Sequence, residues 1–245
     1  MVTKNRSTPQ TFRNTQAREL DRLAILLGKY RNICPNTGPL HTAAKQCRSF
    51  PKKSDLWGYK LDRLQFYVEK PRHTFPENIS DTLVVELSVT VEGKCHPVKS
   101  DDPFEQLAVN IVVSGKNPYQ PENICAWHLD RHIDSESEVV HPLYHFQYGG
   151  NRMEHLKDDL GRVLLLETPR LVHPPMEAVL AIDFVLSNFV GATWKQIKEE
   201  KDGTYRNMVA EAQERFWYPY AESIAARWGK PPKDSRVLWP TLIFP

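Results

Sequence analysis

The side chains with the clearest chemical potential are histidines in two neighbouring segments, residues 125–132 and 141–147. The polar stretch 134–138 separates the segments, which favours a β-hairpin with its loop at that stretch. Residues two apart on a strand share a face, so one face of this hairpin presents four histidines and an aspartate. The candidate catalytic residues are His128, Asp130, His132, His141 and His145.

The pattern of apolar residues predicts how the two strands of the hairpin pair. One antiparallel register places His128 opposite His145 and His132 opposite His141, and it gathers aromatic and aliphatic residues on the other face. A slip by one residue scrambles both faces. We therefore predict this register, with a four-residue loop near 135–138 because no Gly or Asn marks a two-residue turn.

Imidazoles that converge from two strands favour two kinds of chemistry, since opposed Cβ atoms lie about 4.5–5.5 Å apart. Neutral imidazole ligates zinc, copper, iron or nickel. A carboxylate beside it either ligates the same metal ion or orients the imidazole ring. His128 and His145 are therefore candidate ligands of a divalent metal cofactor. Histidines that titrate near neutrality also act as general acids and bases on a phosphodiester or an ester. The alternative is a polar sheet face on which the imidazoles only stack and form hydrogen bonds.

Four further residues are candidates to contribute to this site or to support it. Arg131 stands near the end of the first histidine strand, and Arg170 and His173 belong to the loop over 168–175. Asp183 stands in the middle of an apolar stretch, and a buried carboxylate needs a partner. A histidine or Arg170 is one candidate partner, and a narrow solvent-exposed edge is the alternative. The chain lacks phosphate-binding glycine loops, the nucleophile elbow and the zinc-protease motif, which disfavours those reaction classes.

Charge is uneven along the chain, although the net charge is only +2. Residues 1–73 contain 15 Lys and Arg against 5 Asp and Glu, whereas residues 74–245 contain 17 against 25. Aromatic residues are interleaved with the densest basic stretch, which suits phosphate neutralisation and base stacking. The alternative is a solvated basic face that complements the acidic remainder of the chain. The candidate residues for binding nucleic acid or another polyanion are Lys45, Arg48, Lys52, Lys53, Lys60 and Arg63.

Composition limits the class of protein. Of the 245 residues, 40% are hydrophobic and 25% are charged, which is typical of a soluble globular chain. No apolar run is long enough to span a bilayer, so we expect no membrane partner. Four widely spaced cysteines form no disulfide framework, and no apolar segment follows the basic start. These features predict a cytoplasmic protein.

Hydropathy patterns predict the elements that position these residues. Residues 1–14 are polar and predicted to form a disordered basic tail, and 236–245 form an apolar C-terminal docking tail. Predicted helices cover 16–30, 176–190, 193–200 and 204–228, with a loop over 35–60. Alternation predicts strands near 64–68, 83–91, 107–113, 124–133, 139–148 and 162–167. We therefore predict a single α+β domain over 15–235, an antiparallel meander of about five or six strands packed on one face by the C-terminal helices, with an N-terminal helix.

The order of these elements, with the dipeptide His141-Pro142 after the meander, resembles the ubiquitin-conjugating fold. Enzymes of that family need a cysteine shortly after the dipeptide, and here no cysteine follows Cys125. The resemblance therefore implies a noncatalytic relative that binds partners. Residues 141–150, together with Pro174-Pro175, also resemble segments of uncharacterised bacterial proteins, which implies a prokaryotic source and no particular activity.

Two functions remain open at this point. The first is an accessory component of a larger prokaryotic protein or protein–nucleic-acid assembly, which contacts other subunits and nucleic acid through its basic N-terminal third and its apolar C-terminal tail. The charge asymmetry and the absence of known catalytic motifs favour it. The second is a histidine-dependent phosphoesterase or nuclease, with or without a metal, that uses the four-histidine face of the hairpin.

Overall fold

The computed structural model describes residues 8–72, 74–95, 102–117, 122–131, 142–149, 153 and 171–229. The helices are α1 (Pro9–Leu27), α2 (Gly38–Arg48), α3 (Ala178–Phe189), α4 (Gly191–Glu199) and α5 (Thr204–Gly229). The strands are β1 (Leu56–Glu69), β2 (Thr82–Lys94), β3 (Phe104–Lys116), β4 (Glu122–Arg131), β5 (Tyr144–Tyr148) and β6 (Leu171–Val172). All six strands form one antiparallel sheet in which each strand pairs with the next. The predicted α+β meander is therefore confirmed.

Strict alternation of apolar and polar residues builds the central strands β2 and β3. Leu87 lies opposite Ile111 and Val89 opposite Val109, and all four side chains are fully buried. Their face of the sheet meets the helices, whereas the residues between them, such as Asn110, are half-buried on the other face. The sheet thus has a helix-covered face and a second, more polar face, and side chains of alternate residues reach one or the other.

The N-terminal helix begins earlier than predicted. Thr8 caps α1 because its side chain accepts a hydrogen bond from the Thr11 N–H, and Pro9 stands in the first turn, where it is tolerated. Residues 9–14, which we predicted to belong to a disordered basic tail, are therefore helical. Arg13 in this stretch is completely buried.

A second helix, α2, occupies part of the predicted loop over 35–60. It opens at Gly38-Pro39, and its buried residues include Leu40 and Cys47. Pro in the first turn is a recognised helix-start signal that the sequence did offer. The helices α1 and α2 pack against each other and beside β1.

Several sequence predictions lie outside the described residues. They include the start of the basic tail over 1–7, the strand predicted near 162–167 and the apolar tail over 236–245. Within the part of the chain that the structure describes, no helix is both long and apolar enough to cross a membrane.

Candidate functional site

Strands β4 and β5 bring two histidines and an aspartate together, in a register that differs from the predicted one. Asp130 lies opposite His145, and His128 lies opposite Gln147. The prediction that His128 faces His145 directly is therefore wrong by two residues. Because a slip of two leaves every side chain on its own face, the three residues still share the polar face of the sheet.

The potential ligand atoms of these three residues converge. His128 Nε2 lies 3.6 Å from Asp130 Oδ2. The rings of His128 and His145 meet edge to face, with centroids 5.8 Å apart and planes at 88°. One nitrogen from each histidine and one oxygen from Asp130 all lie within 4.8 Å of one another. Among the described residues, this is the one group of three such side chains close enough to share a metal ion. We refer to it as the His–Asp–His cluster.

Burial and hydrogen bonding orient the cluster. The His145 ring is buried, and its Nδ1 lies 3.3 Å from the carbonyl oxygen of Pro142. A carbonyl oxygen only accepts, so Nδ1 is the donor in this contact. The side chains of His128 and Asp130 are 18% and 35% exposed. The cluster is therefore closed at His145 and accessible from the side of Asp130.

Two of the predicted site residues, His132 and His141, lie outside the described residues, as does the candidate Arg170. The candidates Arg131 and His173 lie on the helix-covered side of the sheet. Arg131 Nε donates to Asp102 Oδ2 at 2.7 Å. These two candidates therefore do not join the His–Asp–His cluster.

His173 has a structural environment of its own. Its Nδ1 donates to the carbonyl oxygen of Pro174 at 2.6 Å, and its ring packs against Phe146 with centroids 5.6 Å apart. Burial lowers the pKa of His173. We conclude that this histidine is a neutral packing residue on the face opposite the cluster.

Asp183 is half-buried, and its partners are neutral. Its Oδ1 accepts hydrogen bonds from Trp194 Nε1 at 2.8 Å and from the Tyr205 hydroxyl at 2.7 Å. Asp183 belongs to α3, whereas Trp194 and Tyr205 belong to α4 and α5. The carboxylate therefore joins three helices, and within the described part of the chain no histidine pairs with it. The other candidate partner, Arg170, lies outside the described residues.

The six predicted polyanion-binding residues fall into two groups. Lys45 and Arg48 on α2 and Lys52 and Lys53 after it are all exposed. Lys60 and Arg63 belong to β1 and lie close to carboxylates. Lys60 Nζ is 4.0 Å from Asp62, and Arg63 Nε donates to Glu86 at 3.0 Å. The second group is therefore less available to an external anion.

The aromatic residues of this region do not form a stacking surface for bases. Trp57, Tyr59 and Phe66 on β1 are buried in the core. Trp57 stacks on Phe216 of α5, with ring centroids 5.8 Å apart. These three aromatics cannot stack on bases, because the alternation of β1 directs them toward the helices. Tyr67, on the opposite face of β1, is 39% exposed.

A basic surface is nevertheless present on the two N-terminal helices. Residues 8–54 contain nine Lys and Arg but only two acidic residues, Glu19 and Asp21. Glu19 is buried and accepts two hydrogen bonds from Arg215. We define the α1/α2 surface by its exposed basic side chains, Arg18, Arg22, Lys45, Arg48, Lys52 and Lys53.

Asp21 is the one carboxylate in residues 8–54 that remains near the α1/α2 surface, and Arg48 and His41 hold it. His41 Nδ1 lies 2.8 Å from Asp21 Oδ1, and Arg48 donates to Oδ2. Burial opposes ionisation, but the hydrogen bonds from Arg48 and His41 lower the pKa of Asp21 overall. We missed the role of His41 because we predicted a loop at this position. In α2, His41 lies on the same face of the helix as Lys45 and Arg48.

In comparisons with models of protein families, with curated proteins and with solved structures, nothing matches this chain.

Proposed function

We propose that this chain is an accessory component of a larger prokaryotic assembly and that it binds a polyanion, specifically a nucleic-acid backbone, through the α1/α2 surface. One observation supports this proposal most directly. Asp21 is the one carboxylate near this surface in residues 8–54, and it is bound by His41 and Arg48. The remaining exposed cations of the surface make no ion pair with any described residue. The surface therefore presents more exposed cations than anions, which attracts a polyanion.

The chemistry of the surface suits phosphate binding without reading of bases. Lys and Arg side chains that neutralise phosphates release counterions, and this drives sequence-independent binding. Of the four aromatic residues of β1, only Tyr67 is exposed, so base stacking is at most a single contact and we expect little preference for base sequence. Contacts with other protein subunits are assigned to the apolar tail over 236–245. The four free cysteines are compatible with the reducing cytoplasm that we propose as the compartment.

The experiment is a salt titration of binding. Fluorescence anisotropy of the full chain with labelled single-stranded RNA, single-stranded DNA and duplex DNA is measured for wild type and for a Lys45→Gln, Lys52→Gln, Lys53→Gln triple variant. Each lost phosphate contact lowers the slope of log K against log salt by about 0.7 to 0.9. We expect a slope reduced by about two in the triple variant.

The matched control removes three exposed cations on and after α4, through the changes Lys195→Gln, Lys201→Gln and Arg206→Gln. It has the same net charge as the test variant and should bind with the wild-type slope. Equal losses in both variants mean that only net charge matters. Equal losses, or no binding by wild type at low salt, contradict the proposal.

A second candidate function is a histidine-dependent phosphoesterase or nuclease, with or without a metal, and the convergence of the His–Asp–His cluster favours it. The Asp130 side chain in this cluster is 35% exposed. The test is hydrolysis of bis(p-nitrophenyl) phosphate and of labelled RNA by wild type and by His128→Gln, with and without Zn²⁺ or Mn²⁺. Activity that survives His128→Gln, or no activity under any condition, contradicts this candidate.

A further inference from the structure

We propose that the His–Asp–His cluster is a mononuclear binding site for a divalent transition-metal ion of the Zn²⁺ class. The ligand atoms are Nε2 of His128, Nε2 of His145 and a carboxylate oxygen of Asp130. This inference depends neither on polyanion binding by the α1/α2 surface nor on phosphoesterase activity.

The separation between His128 and Asp130 fits two ligands of one ion. At 3.6 Å, the Nε2–Oδ2 distance is too long for a hydrogen bond. Two ligand atoms on a tetrahedral Zn²⁺, with bonds of about 2.0–2.1 Å, lie about 3.4 Å apart. The pair is therefore spaced as it would be on either side of a metal.

His145 has the outer hydrogen bond that metal-binding histidines require. Its Nδ1 donates to the Pro142 carbonyl oxygen. Histidines that ligate metals through one nitrogen usually donate the other N–H to a carbonyl or a carboxylate, which fixes the tautomer and the ring orientation. His145 is also buried, so its ring is held in place before any ion binds.

The sheet itself holds the three ligands in place. All three ligands stand on hydrogen-bonded strands, which hold side chains more accurately than loops do. On β3, the neighbour directly opposite Asp130 is Ala108, whose methyl group occupies little space on that side. Asn110 lies opposite His128 on the same strand and is half-buried on the same face of the sheet.

The donor set selects the class of ion. Two imidazoles and one carboxylate suit Zn²⁺, Fe²⁺, Ni²⁺ or Cu²⁺, whereas Mg²⁺ and Ca²⁺ prefer oxygen ligands alone. Three protein ligands leave at least one coordination position for water or a substrate. We therefore expect Zn²⁺ and Co²⁺ to bind and Mg²⁺ not to displace them.

The chain contains a natural control, the His41–Asp21 pair on the α1/α2 surface. There the nitrogen and the oxygen form a direct 2.8 Å contact, and the third partner is the cation Arg48. A guanidinium beside the pair repels a metal ion. A histidine beside an aspartate is thus not sufficient, and His41→Gln is the matched control for His128→Gln.

The test is metal binding by the full chain after treatment with a chelator. Zn²⁺ binding is measured by calorimetry, and Co²⁺ binding by the visible absorption that a four-coordinate nitrogen and oxygen site produces. We expect one equivalent of either ion, unaffected by excess Mg²⁺. Because loss of an outer partner alone weakens metal binding about 10- to 100-fold, we expect His128→Gln and Asp130→Asn each to weaken Zn²⁺ binding at least about 100-fold. His41→Gln should bind as wild type does.

A variant that fails to bind metal can be distinguished from a variant that fails to fold. Both test residues are half-buried, and circular dichroism of the metal-free variants checks that they fold. If His128→Gln does not fold, Asp130→Asn decides. Failure of wild type to bind one equivalent, wild-type affinity in a folded test variant, or an equal loss in His41→Gln overturns the metal site. None of these results bears on polyanion binding by the α1/α2 surface, which is measured separately.

Discussion

The hydroxyl of Tyr59 on β1 donates to the carboxylate of Glu177 at 2.9 Å, in the fully buried centre of the molecule. The same hydroxyl accepts a hydrogen bond from the Ala178 N–H, and Glu177 accepts others from Val179 and Leu180. Glu177 is therefore the N-cap of α3 and fastens this helix to the first strand of the sheet.

The stability of the protein should fall as pH rises because of Glu177. Burial raises the pKa of Glu177 from 4.5 to about 7. The folded state therefore binds a proton that the unfolded state has already released. The resulting stability, at most roughly 3 kcal/mol, is fully present below about pH 4.5 and is lost as pH rises through about 7. Burial raises the pKa of Glu19 as well, which acts in the same direction.

Glu177→Gln should flatten this pH dependence, because the amide oxygen still accepts the backbone hydrogen bonds but does not ionise. Urea unfolding at about pH 5 and about pH 8 measures the difference. Exposed Glu105 on β3 supplies the control, and Glu105→Gln should keep the wild-type dependence. A Glu177→Gln profile parallel to that of wild type would show that Glu177 does not titrate in this range.

Removal of one negative charge should strengthen polyanion binding. Asp21→Asn leaves the Arg48 and His41 side chains without their anionic partner, so both become available to phosphate. Since exposed ion pairs contribute about 0.2–1 kcal/mol, we expect roughly two- to five-fold tighter binding in the anisotropy assay. Asp62→Asn on β1 is the control. Weaker binding by Asp21→Asn would mean that the carboxylate positions Arg48 for the ligand.

Asp183→Ala should destabilise the C-terminal helices, because it deprives Trp194 and Tyr205 of the acceptor that they share. Hydrogen bonds to charged groups contribute about 1.5–3 kcal/mol each, and we expect a total loss of about 3 kcal/mol in urea unfolding. Asp183→Asn keeps an acceptor oxygen and should therefore lower the free energy of unfolding by less than Asp183→Ala does. Ser187→Ala, one turn away on α3, is the control. Equal stability of the alanine and asparagine variants would argue against these hydrogen bonds.

Arg13→Ala should be among the most destabilising changes in α1. The buried guanidinium donates to the carbonyl oxygens of Pro51, Ser54 and Leu56, at 3.2, 2.8 and 2.9 Å. The variant leaves these acceptors buried without a partner, at a cost of about 3 kcal/mol or more. Arg13→Lys should recover only part of the lost stability, since an ammonium does not reach all three carbonyls. Exposed Arg18 is the control, and comparable losses in Arg18→Ala would contradict the assignment.

The local pattern of apolar and polar residues was sufficient to predict the central strands β2 and β3 and the helix α3. The alternation around Leu87 and Ile111 allows only a strand with one apolar face, and the short connection between β2 and β3 favours their antiparallel pairing. The apolar stretch around Ile182 likewise indicates a buried helix, which is α3. These predictions succeeded because the periodicity of a strand or helix is a property of consecutive residues.

The N-terminal region was harder to predict because its helices are polar on their outer faces. The basic residues of α1 and α2 mask the apolar stripe that packs against the core. Arg13 is buried only because distant carbonyl groups after α2 converge on it. No pattern within the segment itself reports partners that lie about forty residues away.

The sequence by itself determined that His128, Asp130 and His145 share one face of the sheet, because residues two apart on a strand point the same way. It did not determine which of them stand opposite each other. A slip of two residues preserves both faces, so alternation is equally satisfied by the predicted and the observed registers. Only the packing of β4 and β5 into the complete sheet placed Asp130 opposite His145 and brought His128 beside them.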